Sequence, residues 1–385
     1  MYSSYYVLSE CWLVLLLFFL YCILYNYTLY FFPISEQLCI SADSNAERFP
    51  KNLELIQEII AEFVFCEIDK RGNKKRIMKS TAELSLLEVL SDHFSKASPN
   101  SVCAARNSLF LWLFHPAAEA RIRVLSKLVS LSISTRRVSV LSTAGLWMQC
   151  TLPTSPRSTV NLANMLVKDF FILTPQAAVK LRELPQLAPL FTANLLTAFT
   201  AMFGVSAGGS YVAPPPSLLK VVTQWVSDHP HLCLTPLLQP GPGTGVSTEH
   251  ITPVVGLFRW CVLSPLYGVG HLTEKDHDSE SSDYHNDQLY SCLHISLLQG
   301  LLTPLHGLVP GQQVTATHAD ELSCLVDDVC IALKASTEND EARQLALDRL
   351  GQAIQTAISS LALLSKVSHL PQTRLLSIIL SKNIS

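Results

Sequence analysis

Residues 69–94 read DKRGNKKRIMKSTAELSLLEVLSDHF, and their pattern decides the fold class. Asp69 to Lys79 sets one glycine among six cations, a composition that interrupts regular structure and stays in water. Ser80, with Glu83 three residues on, has the form of a capping box. Leu84, Leu87, Leu90 and Phe94 then recur at the spacing of one helix face. Upstream, Leu53, Ile56, Ile60 and Phe63 keep the same spacing, so the stretch is a helix–loop–helix unit.

The same grammar continues outward. Helical patterns are expected at Ser101 to Phe114, Glu119 to Ile133, Val138 to Cys150, Val160 to Leu173, Leu187 to Phe203 and Ser217 to Ser227. Each is closed by proline, polar or charged residues that cannot continue a helix. Two longer breaks follow, the PGPGTG stretch from Pro240 to Gly245 and the acidic segment His271 to Gln288, both read as surface loops. Helices resume at Leu289 to Leu302 and Asp320 to Leu333. A last one starts near Asp340, capped by Thr337 and Asp340, with Leu347, Leu350, Ile354, Ile358 and Leu361 on one stripe. No strand alternation persists and no fixed-period repeat is found. The expected fold is all-α, an irregular HEAT- or armadillo-like solenoid of antiparallel helix pairs. The expected divisions are an apolar segment 1–33, a linker 34–50, a helical region 51–270, the acidic loop 271–288 and a helical region 289–385.

Composition narrows the function. Of 385 residues 49% are hydrophobic and 15% charged, an apolar balance for which a partner-covered surface is the simplest account. A net charge of −3 supplies no field for a nucleic-acid backbone, so direct nucleic-acid binding is not favoured. Eleven cysteines without a CxxC pair read as buried reduced thiols rather than disulfides or zinc ligands.

From Cys11 to Phe32 the chain carries no charge and is long enough to cross a bilayer. No Lys or Arg precedes Arg48 to orient a span, and aromatic residues fill the segment rather than only its ends. Three readings compete: a membrane anchor, a buried leading helix, and a mispredicted start exon.

Three constellations could carry chemistry. Gly204-Val205-Ser206-Ala207-Gly208 fits G-x-S-x-G, the turn of a serine hydrolase, but that motif needs a strand before it and a helix after it. Here a helical pattern precedes and Pro214-Pro215-Pro216 follows, so an inter-helix loop is expected. His271, His277 and His285 among Asp276, Asp278, Asp283 and Asp287 have metal-ligand types without fixed geometry, and a solvated spacer is expected. The basic turn Lys70, Arg71, Lys74, Lys75, Arg76 and Lys79 could meet a partner, RNA phosphates or a nuclear import receptor. The Arg259-Trp260 pair joins it as a candidate partner contact, since both residue types concentrate at binding hot spots; core packing is the alternative for Trp260. No catalytic, cofactor-binding or metal residue is assigned, and no cofactor is expected.

Several blocks, in order along the chain, resemble the Integrator complex subunit 15 family. They are Ala61 to Phe65 (AEFVF), Glu83 to Glu88 (ELSLLE), Leu125 to Ser130 (LSKLVS), Thr252 to Val262 (TPVVGLFRWCV), Leu289 to Gln299 (LYSCLHISLLQ) and Leu347 to Gln355 (LDRLGQAIQ). Together the resemblance spans about residues 52–380. It departs at the apolar N-terminus and in the loop after Tyr267, acidic here where the family tends to be basic, and the chain lacks the Pro- and His-rich tail of longer members. The resemblance implies a non-catalytic scaffold in a nuclear assembly that processes small nuclear RNA ends and attenuates RNA polymerase II transcription. Its partners would be other Integrator subunits, with RNA polymerase II met indirectly. With the resemblance weighed, the mispredicted exon leads among the readings of residues 1–33. Membrane anchoring through residues 11–32 and hydrolysis through Ser206 are the alternatives.

Overall fold

The computed structural model describes residues 65, 67–68, 74–75, 80–95, 100–205, 210–238, 251–267, 280–303, 316–335 and 340–359. Over these residues the protein is all-α, as its periodicity requires. The chain divides into two compact units, Met1–Thr143 and Ala144–Ser385.

The first unit holds α1 (Ser80–Ser95), α2 (Asn100–Leu113) and α3 (Glu119–Thr135). Its core is aromatic: Phe94 meets Phe110 edge-on at 5.0 Å, and Phe110 leans on Phe114 at 4.8 Å. The inward face of α1 is Leu86, Leu87, Leu90 and Phe94. Leu84, expected on that face, is 66% exposed, because α1 turns its first apolar residue away. Glu83 accepts both contacts of Lys127 from α3 at 2.8 Å. At the end of α3, Arg136 takes a left-handed conformation (φ 56°) and the Arg137 amide donates to the Ser132 carbonyl at 2.9 Å. That is the six-to-one closure usually given to glycine.

The division falls within α4 (Val138–Thr151). In the second unit α5 (Pro156–Val167) does not continue as one α-helix to Leu173; residues Lys168–Leu173 widen into a π-helical turn. This turn buries Phe170 and leaves Ile172 and Leu173 exposed. A 3₁₀ stretch (Pro175–Glu183) and α6 (Leu184–Leu187) lead into α7 (Pro189–Met202). After α8 (Pro216–Asp228) and α9 (Thr235–Leu238) come α10 (Val254–Leu263), α11 (Glu280–Leu302), α12 (Ala316–Ala335) and α13 (Asp340–Ser359).

Helix α10 is the hub, packing against α7, α11, α12 and α13. Eight of its ten residues are buried, which is why VVGLFRWCVL has no polar side. Around α10, helices that are not consecutive in the chain also pack side by side. Arg349 of α13 bonds Ser291 of α11 and Gln352 bonds His294, both across 58 residues, so α11 and α13 run parallel. Helix α8 lies along α11 in the same sense, through Thr223 to the Leu289 carbonyl and Ser227 to Ser296 at 2.7 Å. Close approach is secured at Gly300, where a Cβ would collide with the Pro230 carbonyl oxygen. Helix α11 begins at Glu280, so residues 280–288 of the expected acidic loop are helical.

Candidate functional site: a buried guanidinium network and exposed apolar faces

Among the described residues a buried polar cluster lies around α10, and it begins with a proline. In α10 the Cys261 carbonyl should accept from the amide of residue 265, but that residue is Pro265 and has no N–H. Arg349, 4% exposed, fills the gap: its Nη1 donates to the Cys261 carbonyl at 2.6 Å, and Ser264 Oγ adds a second bond at 3.2 Å. The guanidinium Nη2 donates to Ser291 Oγ at 2.7 Å, and that hydroxyl in turn donates to the Asp287 carbonyl at 2.9 Å. A cation at the C-terminus of α10 also opposes its dipole. Burial pulls the Arg349 pKa down, against which the Cys261 and Asp287 side chains hold the charge.

One helical turn along, His294 Nε2 lies 3.0 Å from Gln352 Oε1 and its ring meets Phe258 at 5.6 Å. Burial lowers its pKa to about 4, the Gln352 bond opposes this and the Arg349 charge reinforces it. The imidazole is neutral near pH 7.

The same device recurs elsewhere in this unit. Trp260 Nε1 donates to the Phe203 carbonyl at 2.9 Å, Trp225 Nε1 to Leu181 at 2.8 Å, and Asn194 Nδ2 to Gly145 at 2.9 Å. Each is a side chain of one element pinning the backbone of another. None presents a nucleophile with a base, and among the described residues no group of three His, Cys, Asp or Glu could hold a metal.

The candidates from the sequence fall as follows. Lys74 and Lys75 form a strand paired antiparallel with Glu67–Ile68, so part of the basic turn is a β-ribbon rather than irregular. Lys70, Arg71, Arg76 and Lys79 lie outside the described residues. Trp260 is fully buried and, contrary to its reading as a contact residue, cannot meet a partner in this fold. Arg259, one residue earlier and about 100° round the helix, stands half-buried with Nε 3.0 Å from Asp328 Oδ2. The Nε–H points off that oxygen, so the pair is held by charge proximity rather than an aligned hydrogen bond. Before Ser206 comes α7 and the strand Gly204–Val205, which pairs antiparallel with Tyr211–Val212. Gly204 needs its φ of 129°, open to glycine. A return strand therefore stands where a hydrolase needs a helix; Ser206 itself lies outside the described residues, as do His271 and His277, while His285 falls on α11. The apolar run 11–32 and the first expected helix also lie outside them. No described helix is long and apolar enough to cross a membrane.

Sequence reasoning missed Arg349, although Pro265 four residues after Cys261 was a visible sign that one helix carbonyl needed an outside donor. It also missed the outer face of α11. The residues define an all-helical protein in which several buried polar side chains tie one element to another.

A family model described as Integrator complex subunit 15 matches residues 29–377, and the chain belongs to that family. It is 32% identical to Integrator complex subunit 15 of Mus musculus, over 84% of this chain and 77% of that protein. The Homo sapiens protein of the same name gives 32%, 84% and 77%, and the Drosophila melanogaster one 30%, 85% and 87%. The match begins upstream of Asn52, inside the apolar segment.

Proposed function

We propose that this chain is a non-catalytic interaction subunit of the nuclear Integrator complex, supporting small nuclear RNA 3′-end processing and attenuation of RNA polymerase II transcription, with the polymerase met through other subunits. The observation that carries this reading is the match along most of the chain to proteins named as subunits of that complex. An interaction role also accounts for Ile172, Leu173 and Val179, large apolar side chains 62–71% exposed within eight residues of one another. The basic stretch Lys70 to Lys79 and Arg259 are the charged contacts of the proposal.

Tagging the endogenous chain at its C-terminus and identifying what copurifies from nuclear and membrane fractions tests it. Other Integrator subunits in the nuclear fraction are expected. Their absence, with the chain in membranes, would replace this reading by anchoring through residues 11–32, which the uncharged run there favours. Ile172→Asp with Leu173→Asp should reduce that copurification while leaving helical content unchanged.

A further inference from the structure

A cavity of about 290 Å³ lies at the C-terminal end of α8. Pro185, Pro189 and Pro230, with Leu232 and Leu238, give it apolar walls. Its one carboxylate is Asp228, beside the imidazoles of His229 and His231, and no Lys or Arg lines it. At that size it falls below the range of about 300–1,000 Å³ that encloses a drug-sized molecule, so it suits a single side chain. Asp228 is the last residue of α8, where the macrodipole disfavours a carboxylate, so its place there works against stability. Gln224 donates to its Oδ2 at 2.6 Å, which leaves Oδ1 for another donor. Behind it the helix end is unsatisfied. Pro230 has no N–H for the Val226 carbonyl, and among the described residues no hydrogen bond reaches the carbonyl of Val226, Ser227 or Asp228.

We propose that this cavity takes an arginine side chain of a partner protein, its stem along the proline walls and its guanidinium between the Asp228 carboxylate and the carbonyl end of α8. The inference rests on the reading of the chain as an interaction subunit and names the chemistry of one contact. Charge selects the occupant: a carboxylate and the negative end of a helix dipole meet at an apolar cavity that no Lys or Arg lines. The protein itself supplies a precedent. Val226 stands to Pro230 as Cys261 stands to Pro265, and there the Arg349 guanidinium donates to the Cys261 carbonyl at 2.6 Å. At α8 no described side chain answers the same need. A guanidinium also fits better than an ammonium, because its planar fork can bridge a carboxylate and a carbonyl while its stem lies along apolar surface.

The probe is N-acetyl-argininamide, with its citrulline counterpart, similar in size and uncharged, as control. Titrations of the full chain followed by saturation-transfer NMR should give the arginine probe a dissociation constant about tenfold below that of citrulline. Asp228→Asn should raise it by about the same factor. The thermal midpoint of that variant should stay or rise, since a carboxylate leaves the helix end, so lost binding is separated from lost fold. Equal affinities for the two probes, no binding of the arginine probe, or binding that Asp228→Asn leaves intact would overturn the proposal. In the tagged chain, Asp228→Asn should deplete at least one copurifying Integrator subunit; undiminished recovery of all of them would overturn the assignment of the arginine to a partner. If the parent chain recovers no Integrator subunit, the reading of its function fails, while the probe titrations still decide the cavity.

Discussion

Replacing Arg349 by Met keeps the apolar stem and removes the guanidinium. The two short bonds to the Cys261 carbonyl and Ser291 Oγ, at 2.6 and 2.7 Å, come from a charged donor. Such bonds are worth about 1.5–3 kcal/mol each. Relief of the buried charge returns roughly 1–3 kcal/mol, and Ser264 Oγ still reaches the Cys261 carbonyl, so a net loss of about 2–3 kcal/mol is expected. For a unit of this size that is roughly 5–10 °C in thermal midpoint, followed by circular dichroism at 222 nm.

The decisive arm is a cycle with Pro265→Ala, which gives residue 265 an N–H for the same carbonyl. In that background Arg349→Met should cost about 1 kcal/mol less. A loss below about 0.5 kcal/mol in the parent, or an equal loss in both backgrounds, would refute the orphan-carbonyl argument. Arg349→Lys separates charge from geometry: one ammonium can oppose the α10 dipole but cannot bridge Cys261 and Ser291, so it should recover only part of the loss.

The folded His294 pKa, about 4, lies below its unfolded value near 6.5, so the unfolded chain takes up the proton first as pH falls. Stability should therefore be unaffected by this group at pH 7 and decline from pH 6.5 towards 4, by up to about 3 kcal/mol. Denaturant titrations of the parent and His294→Gln across that window should converge as pH drops. At the end of α3, Arg136→Gly should stabilise the first unit by about 0.5–1 kcal/mol, because glycine accepts φ 56° without strain; a lower denaturation midpoint would count against the closure described.

The helices were legible because each signal is local. A stripe such as Leu87, Leu90 and Phe94 and a proline at a helix end act within a few residues, and the structure starts and stops helices close to those marks. What was illegible depends on partners far along the chain. Nothing near Arg349 says that its guanidinium serves a carbonyl 88 residues away. Leu84 fits the stripe of α1 yet finds no neighbour to cover it, and the π-helical turn after Val167 hides in a sequence that any helical rule accepts. Arg259 and Trp260 read as a pair because they adjoin; a helix sends adjacent residues to different faces, one to an ion pair and one to the core.

The apolar excess of the composition, read first as a sign of covered surface, now has addresses. Part of it is internal: α10 carries apolar residues on every face because four helices surround it. That share demands no partner. Ile172 and Leu173 beside the π-helical turn, and Ile295 and Leu302 on α11, are among the large apolar side chains that internal packing leaves uncovered. The two places differ in their borders. Lys168, Asp169, Lys180 and Arg182 bring both signs of charge around the first, as suits a face that meets a different protein. The exposed side of α11 at Ile295 and Leu302 belongs to a stretch, Gln288 to Leu302, that carries no charged residue. One composition is thus divided between the interior around α10 and exposed apolar positions that differ in the charge of the sequence around them.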